Sequence, residues 1–187
     1  MDKITTGKKW KDVLPVTTVS NLLTLLDGWK QQTQLLRIEK NKQQPCGLFF
    51  YGGDKEKRKA AAALAGMHTD QQVFRIDIAD IVSKYIGETE KNLSGSKYIG
   101  ETEKNLTKAF AEAAQNNWIL FFDEADALFG KRSNVKDSHD KYANQVTRLL
   151  LNRIEKCSHL IIVSASNREQ IPVVISEHFQ AVINFEI

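Results

Sequence analysis

Two stretches of the chain hold side chains suited to handling a phosphorylated ligand. The run Trp118, Ile119, Leu120, Phe121 and Phe122 is apolar at every position and ends on Asp123 and Glu124. A run apolar on both faces fits a central strand of a parallel sheet covered by helices on each side. Ligands of open α/β sheets bind beyond the carboxyl ends of the strands. An acid pair there suits metal-assisted hydrolysis, with Asp123 holding Mg2+ and Glu124 polarising a water. Taken alone, the same pair is also compatible with a solvated acidic turn.

The second stretch is Tyr51 to Lys59, YGGDKEKRK. A phosphate-gripping loop of the form G-x-x-x-x-G-K-[ST] uses its second glycine for a positive φ, its lysine for the β and γ phosphates and its hydroxyl for Mg2+. Here Gly52, followed by Gly53, meets the first glycine, while the last three positions hold Lys57, Arg58 and Lys59. A lysine in place of the second glycine predicts backbone strain on the order of 1–3 kcal/mol. Arg58 keeps the charge in a bulkier, planar form, and Lys59 puts a cation where a metal-binding hydroxyl belongs. The basic cluster at a strand-to-helix turn still draws phosphate electrostatically, with help from the helix amino terminus. It equally suits a solvated first turn of a helix packed through Ala60 to Leu64.

Elements to carry these residues follow from periodicity. Gly47 to Tyr51 predicts the strand before the loop, and Glu56 to Met67 the helix after it. Gln72 to Ile78, Leu160 to Ser166 and Ala181 to Glu186 predict further strands, and Asp137 to Ile154 a helix after the acid pair. Val19, Leu22, Leu23, Leu26 and Trp29 recur at helical spacing between Val19 and Leu36, interrupted by Gly28, so residues 1–45 predict an amino-terminal helical segment holding one helix or a helix pair.

The ordered blocks GLFFYG, VFRIDIADIVSKYIGETEKNL, WILFFDEADALFGKRSNVKDSHDKYANQ, LIIVSASN and FQAVINF resemble the large ATPase domain of the AAA+ family over nearly the whole chain. They are most similar to the AAA+ ATPases encoded with bacterial contractile injection systems, the phage-tail-like particles. The resemblance implies an α/β fold, a P-loop NTPase-like doubly wound parallel sheet with helices on both faces, occupying residues 46–187. It also implies ATP and Mg2+ as ligands, assembly with other AAA+ ring subunits in a homo- or hetero-oligomer, and a polypeptide substrate that is remodelled or threaded.

Individual roles carry over with it. Asp123 and Glu124 match the metal-binding and catalytic acids, and Asn167 matches the polar residue that orients the attacking water. Gly52, Gly53, Lys57, Arg58 and Lys59 occupy the phosphate loop. The arginines that reach into a neighbouring subunit are replaced by Glu177 and His178, and a carboxylate there repels the phosphate it should neutralise. The helical lid that follows this domain in the family is expected to be missing. The degenerate loop and arginine finger imply weak or absent ATP binding and impaired hydrolysis. The alternatives are a catalytically inactive scaffold or passive ring subunit, and a truncated, duplicated fragment without function.

Ser83 to Leu93 and Ser96 to Leu106 both read SKYIGETEKNL, separated by Ser94 and Gly95. Eleven identical residues in tandem are too short and too exact for a structural repeat, whose units run to roughly 20–50 residues. By resemblance the block carries the central-pore loop, matched by Tyr85 and Ile86 in the first copy and by Tyr98 and Ile99 in the second. Leu106, Phe110 and Ala113 share one helical face and run on from the second copy, which is therefore expected to supply the packed helix. The first copy ends in Ser94 and Gly95, which weaken a helix, and is expected to be extruded.

Composition agrees with a single domain of this kind. The chain has 187 residues, 42% of them hydrophobic, and a formal net charge of +3. No broad basic stripe interleaved with aromatics suggests nucleic-acid binding. Cys46 and Cys157 are too few for a metal or disulfide framework, and His68, His139 and His159 are scattered. No apolar run near the amino terminus is long enough for a signal peptide or a membrane span, so a cytoplasmic location is expected.

Overall fold

Five runs rich in β-branched and aromatic residues form the parallel part of one sheet. They are β2 (Cys46–Tyr51), β3 (Val73–Asp77), β4 (Ile119–Asp123), β5 (Leu160–Ala165) and β6 (Ala181–Asn184), joined by a short β1 (Asp2–Ile4). The computed structural model describes residues 1–39, 46–78, 96–126, 138–157, 159–167 and 177–186. The sheet order is β1-β3-β4-β5-β2-β6. All neighbours run parallel except β1, which pairs antiparallel with β3 through Asp2↔Arg75 and Ile4↔Val73. Every residue of β4 and β5 is buried, as the unbroken apolar runs predicted.

Side chains alternate along the strands into two cores. Leu48, Phe50, Phe121, Leu160 and Ile162 meet α1 (Val16–Glu39) and α2 (Lys55–Thr69) on one face. Phe49, Phe122, Ile161 and Val163 meet α3 (Ser96–Asn116) and α4 (Ser138–Lys156) on the other. The result is the doubly wound α/β arrangement expected, with an antiparallel edge strand added. The alanine run of α2 lets that helix lie close on the sheet. A Cβ added at Gly66 would sit 2.3 Å from Val73 Cγ2.

One feature of the amino-terminal segment differs from expectation. Residues 1–45 are not helical throughout, because Asp2–Ile4 finds unpaired backbone on the edge of β3 and extends the sheet. Of the helix or helix pair expected there, the structure has the single helix: α1 runs from Val16 to Glu39 through Gly28. A mid-helix glycine costs about 1 kcal/mol, and burial of Leu22, Leu26 and Trp29 against the sheet outweighs it.

The second copy of the tandem block forms the start of α3, and Leu106, Phe110 and Ala113 pack into the core as expected. Tyr98 and Ile99 lie in the first turn of that helix. Tyr85, Ile86 and the rest of the first copy lie outside the described residues. Among the described residues no helix is long and apolar enough to cross a membrane.

Candidate functional site

The carboxyl ends of β2, β3, β4 and β5 share one edge of the sheet, and the residues predicted from motif spacing collect there. β2 ends at Tyr51, and Gly52 and Gly53 turn the chain with φ of +74° and +57°. A Cβ at Gly53 would lie 2.2 Å from the carbonyl oxygen of Phe185, so the turn requires glycine on both counts. Asp54 then caps α2: its Oδ1 accepts from the Glu56 amide at 2.9 Å. Its backbone oxygen accepts from Lys57 and Arg58 at 3.0 and 3.2 Å.

The helix therefore starts at Lys55, two residues before the position of the missing second glycine. This corrects the expectation of strain at Lys57, which lies within α2, while the positive φ values of this turn fall on Gly52 and Gly53. Arg58 also differs from a phosphate-facing cation. It is only 2% exposed. Its Nη1 donates to Gly52 O at 2.6 Å and Gly53 O at 2.8 Å, and its Nε donates to Ser164 Oγ at 2.9 Å. The guanidinium thus stitches the turn to the end of β5 through the turn's own carbonyls. Lys57 and Lys59 are half-buried on α2.

The acid pair stands at the end of β4. Asp123 is fully buried, and its Oδ2 accepts from Arg75 Nε at 2.8 Å. Its Oδ1 accepts from the Glu124 amide at 3.1 Å. Arg75 also bonds Asp77, next-but-one along β3. Glu124 adopts a left-handed conformation with φ of +58°, a cost of order 1–3 kcal/mol that marks a constrained position. The chain then rejoins β5, the Ala125 amide donating to Ser164 O at 2.8 Å.

Lys55 crosses from α2 to this pair. Its Nζ lies 2.5 Å from Glu124 Oε1 and 3.8 Å from Asp123 Oδ2. The hydrogen bond to Glu124 raises the lysine above its ordinary value against a modest effect of burial, and the charge of Asp123 adds to it. For Arg75 burial works against the charged form, and the hydrogen bond and charge of Asp123, with Asp77, outweigh it, so that guanidinium is also raised.

Asn167 is exposed at the end of β5. Asp126 holds that end, its carboxylate accepting from the Ser166 amide at 2.7 Å and the Asn167 amide at 3.3 Å. Glu177 is exposed, and His178 Nδ1 lies 2.6 Å from Glu155 Oε1 at the end of α4, a contact within the chain. Cys157 is a buried free thiol, pushed up to about 11 by burial.

Arg75 and Asp126 escaped the motif-based prediction. Arg75 carried a signal: it is a cation within an otherwise strand-like run, VFRID, and such a residue needs an acidic neighbour. Lys55 was visible only as one member of a basic cluster.

These contacts decide how well the site fits its expected ligands. Mg2+ is held by open carboxylate oxygens and waters. Here both oxygens of Asp123 are engaged, Glu124 is paired, and two cations already face the acids. Phosphate fits no better, because the Asp54 carboxylate occupies the amino terminus of α2 and Arg58 faces inward. The arrangement does not fit a nucleotide–metal complex.

Comparison with known proteins bears on the lineage. The profile of the ATPase family associated with various cellular activities (AAA) matches residues 57–187. The ATPase family gene 2 protein of Schizosaccharomyces pombe is 29% identical over 129 residues, which make up 68% of this chain and 14% of that protein. The chain thus spans a small part of the length of this relative. Crystal structures of the FIGL-1 AAA domain are similar in fold: the ADP complex gives a TM-score of 0.62 at 14% identity, over 98% of this chain and 57% of that one. A second structure of the same domain gives 0.63 at 15% identity, with the same coverage.

Proposed function

The chain belongs to the AAA family of ATPases, and from that premise we propose that it is an AAA module impaired in ATP hydrolysis, acting as a scaffold or passive member of a ring. The family implies nucleotide, usually with Mg2+, as its ligand, and AAA domains typically assemble into rings. The observation that carries the reading is the saturation of the acid pair: Lys55 and Arg75 neutralise the carboxylates that would otherwise hold a metal and polarise water. The inward turn of Arg58 supports it. ATP binding is accordingly weak or absent. The ring's other subunits supply hydrolysis, and the ring acts on a polypeptide in the cytoplasm, without nucleic acid or membrane. Kinship with contractile injection systems rests on the KYIGETEKNL and DEADALFGKR blocks.

A second reading, a hydrolysing motor subunit, is favoured by one observation. Asp123, Glu124 and Asn167 do lie at neighbouring strand ends, as a catalytic set requires. Calorimetry with ATP and Mg2+ at millimolar ligand, together with a phosphate-release assay, separates the two. The scaffold reading expects small or flat heats and no turnover. Saturable binding that Asp123→Asn weakens, with turnover, would establish the motor instead.

A further inference from the structure

The mismatch between this site and a nucleotide–metal complex has a regular form. Each ligand expected at the site has a counterpart of like sign in the chain itself, and the two counterparts are consecutive residues. Where a phosphate would sit on the first turn of α2, Asp54 places a carboxylate on the Glu56 amide. Helix amino termini favour negative charge there, so the position is already filled. Where a divalent cation would sit against Asp123 and Glu124, Lys55 places an ammonium 2.5 Å from one acid and 3.8 Å from the other. We propose that Asp54 and Lys55 are built-in stand-ins for phosphate and metal, and that Lys55 is the residue that keeps divalent cations off the acid pair.

The charge balance explains why Lys55 decides the matter. Among the described residues of the site, Asp77, Asp123 and Glu124 contribute three negative charges, and Arg75 and Lys55 answer two of them. Arg75 is largely buried between its partners and holds Asp123 in place, so it stays with the sheet. Lys55 is 42% exposed and enters from the helix, so it alone can leave without disturbing the core. With Lys55 seated, an incoming cation meets like charge within a few ångströms. With Lys55 gone, three acids face one guanidinium, and Glu124 regains a free carboxylate. Asp54 reinforces the arrangement by fixing the start of α2 at Lys55, which aims the lysine across the turn.

This inference rests on the impaired-hydrolysis reading, and the test separates the two. Mn2+ is the probe, followed by the electron paramagnetic resonance of the free ion as protein is added. The wild-type chain is expected to bind none up to millimolar metal. Lys55→Gln should bind one Mn2+ with a gain in affinity of at least about tenfold, the least expected when a like charge is removed from a few ångströms away. Lys55→Met, which offers no ligand of its own, should bind it too, and adding Asp123→Asn should abolish the gain. On the anion side, Asp54→Ser keeps an uncharged cap, and its melting temperature should rise with pyrophosphate where that of the wild type does not. Equal Mn2+ binding by wild type and Lys55→Gln would overturn the proposal. So would the absence of binding in both Lys55 variants while their circular dichroism and melting curves match the wild type. ATP turnover by the wild-type chain would instead refute impaired hydrolysis, whatever the Lys55 variants do.

Discussion

Replacing Arg58 with methionine should unfold the domain more easily and leave any residual affinity for phosphate almost untouched. Arg58 is 2% exposed and makes three hydrogen bonds, to the carbonyls of Gly52 and Gly53 and to Ser164 Oγ. Methionine fills much of the volume and removes the cost of burying a charge, so the loss falls on the acceptors left behind. Gly53 is exposed and its carbonyl can bind water, whereas Gly52 and Ser164 are buried. Each buried acceptor left without a donor costs about 1–3 kcal/mol, and relief of the guanidinium desolvation offsets part of the sum. A net loss of about 3 kcal/mol follows. For a domain of this size it corresponds to a fall in Tm of about 6–12 °C. Arg58→Lys should recover only part, because one ammonium cannot span three acceptors held in a fork. Urea denaturation followed by circular dichroism reads the difference directly. A methionine variant within about 1 kcal/mol of wild type would refute the reasoning, since a guanidinium that stitches the turn cannot be dispensable.

Three further outcomes are expected. Burial holds the His159 imidazole down to about 4 from its ordinary 6.5, and neither ring nitrogen has a hydrogen-bond partner among the described residues. Between those values the unfolded chain takes up a proton that the folded one declines. The contribution of His159 is therefore intact above about pH 6.5 and lost by about 3 kcal/mol as pH falls to 4; His159→Phe should flatten that part of the pH–stability curve in denaturant titrations. Gly66→Ala should destabilise by about 1–2 kcal/mol despite the better helix propensity of alanine, because the added methyl lies too close to Val73 Cγ2 and Gln71 O; Val73→Ala in the same chain should restore part of the loss. Asp126→Ala should speed hydrogen exchange at the Ser166 and Asn167 amides and cost about 1 kcal/mol, with unchanged exchange in the middle of β5.

What could be read from the sequence was set by range. The strands β2, β4 and β5, and the helices that follow β2 and β4, announce themselves through local periodicity, because burial on one face or two imposes a pattern that neighbours in sequence share. Leu106, Phe110 and Ala113 identified the packed copy of the tandem block by the same logic. The three residues of β1 carry no such pattern, since what recruits them is the open edge of β3. The site divides along the same line. Placing Asp123 and Glu124 at a strand end needed only local sequence, and both stand there. What surrounds them did not follow, because it depends on pairs distant in the chain: Lys55 with Glu124, Arg75 with Asp123, and Arg58 with Ser164.

A motif comparison scores Lys57, Arg58 and Lys59 as three losses from a phosphate loop, yet the structure shows a rearranged turn rather than a broken one. Once α2 begins at Lys55, Lys57 carries no positive φ, and Arg58 becomes a buried brace. Lys55, two residues before the position of the missing glycine, becomes the cation that faces the acids. The departures from the pattern therefore depend on one another. On the proposed reading, restoring Lys57→Gly, Arg58→Lys and Lys59→Thr would remove the brace while leaving Asp54 and Lys55 in the places of the phosphate and the metal, so calorimetry with ATP is expected to show a gain in affinity only when those two residues are changed as well.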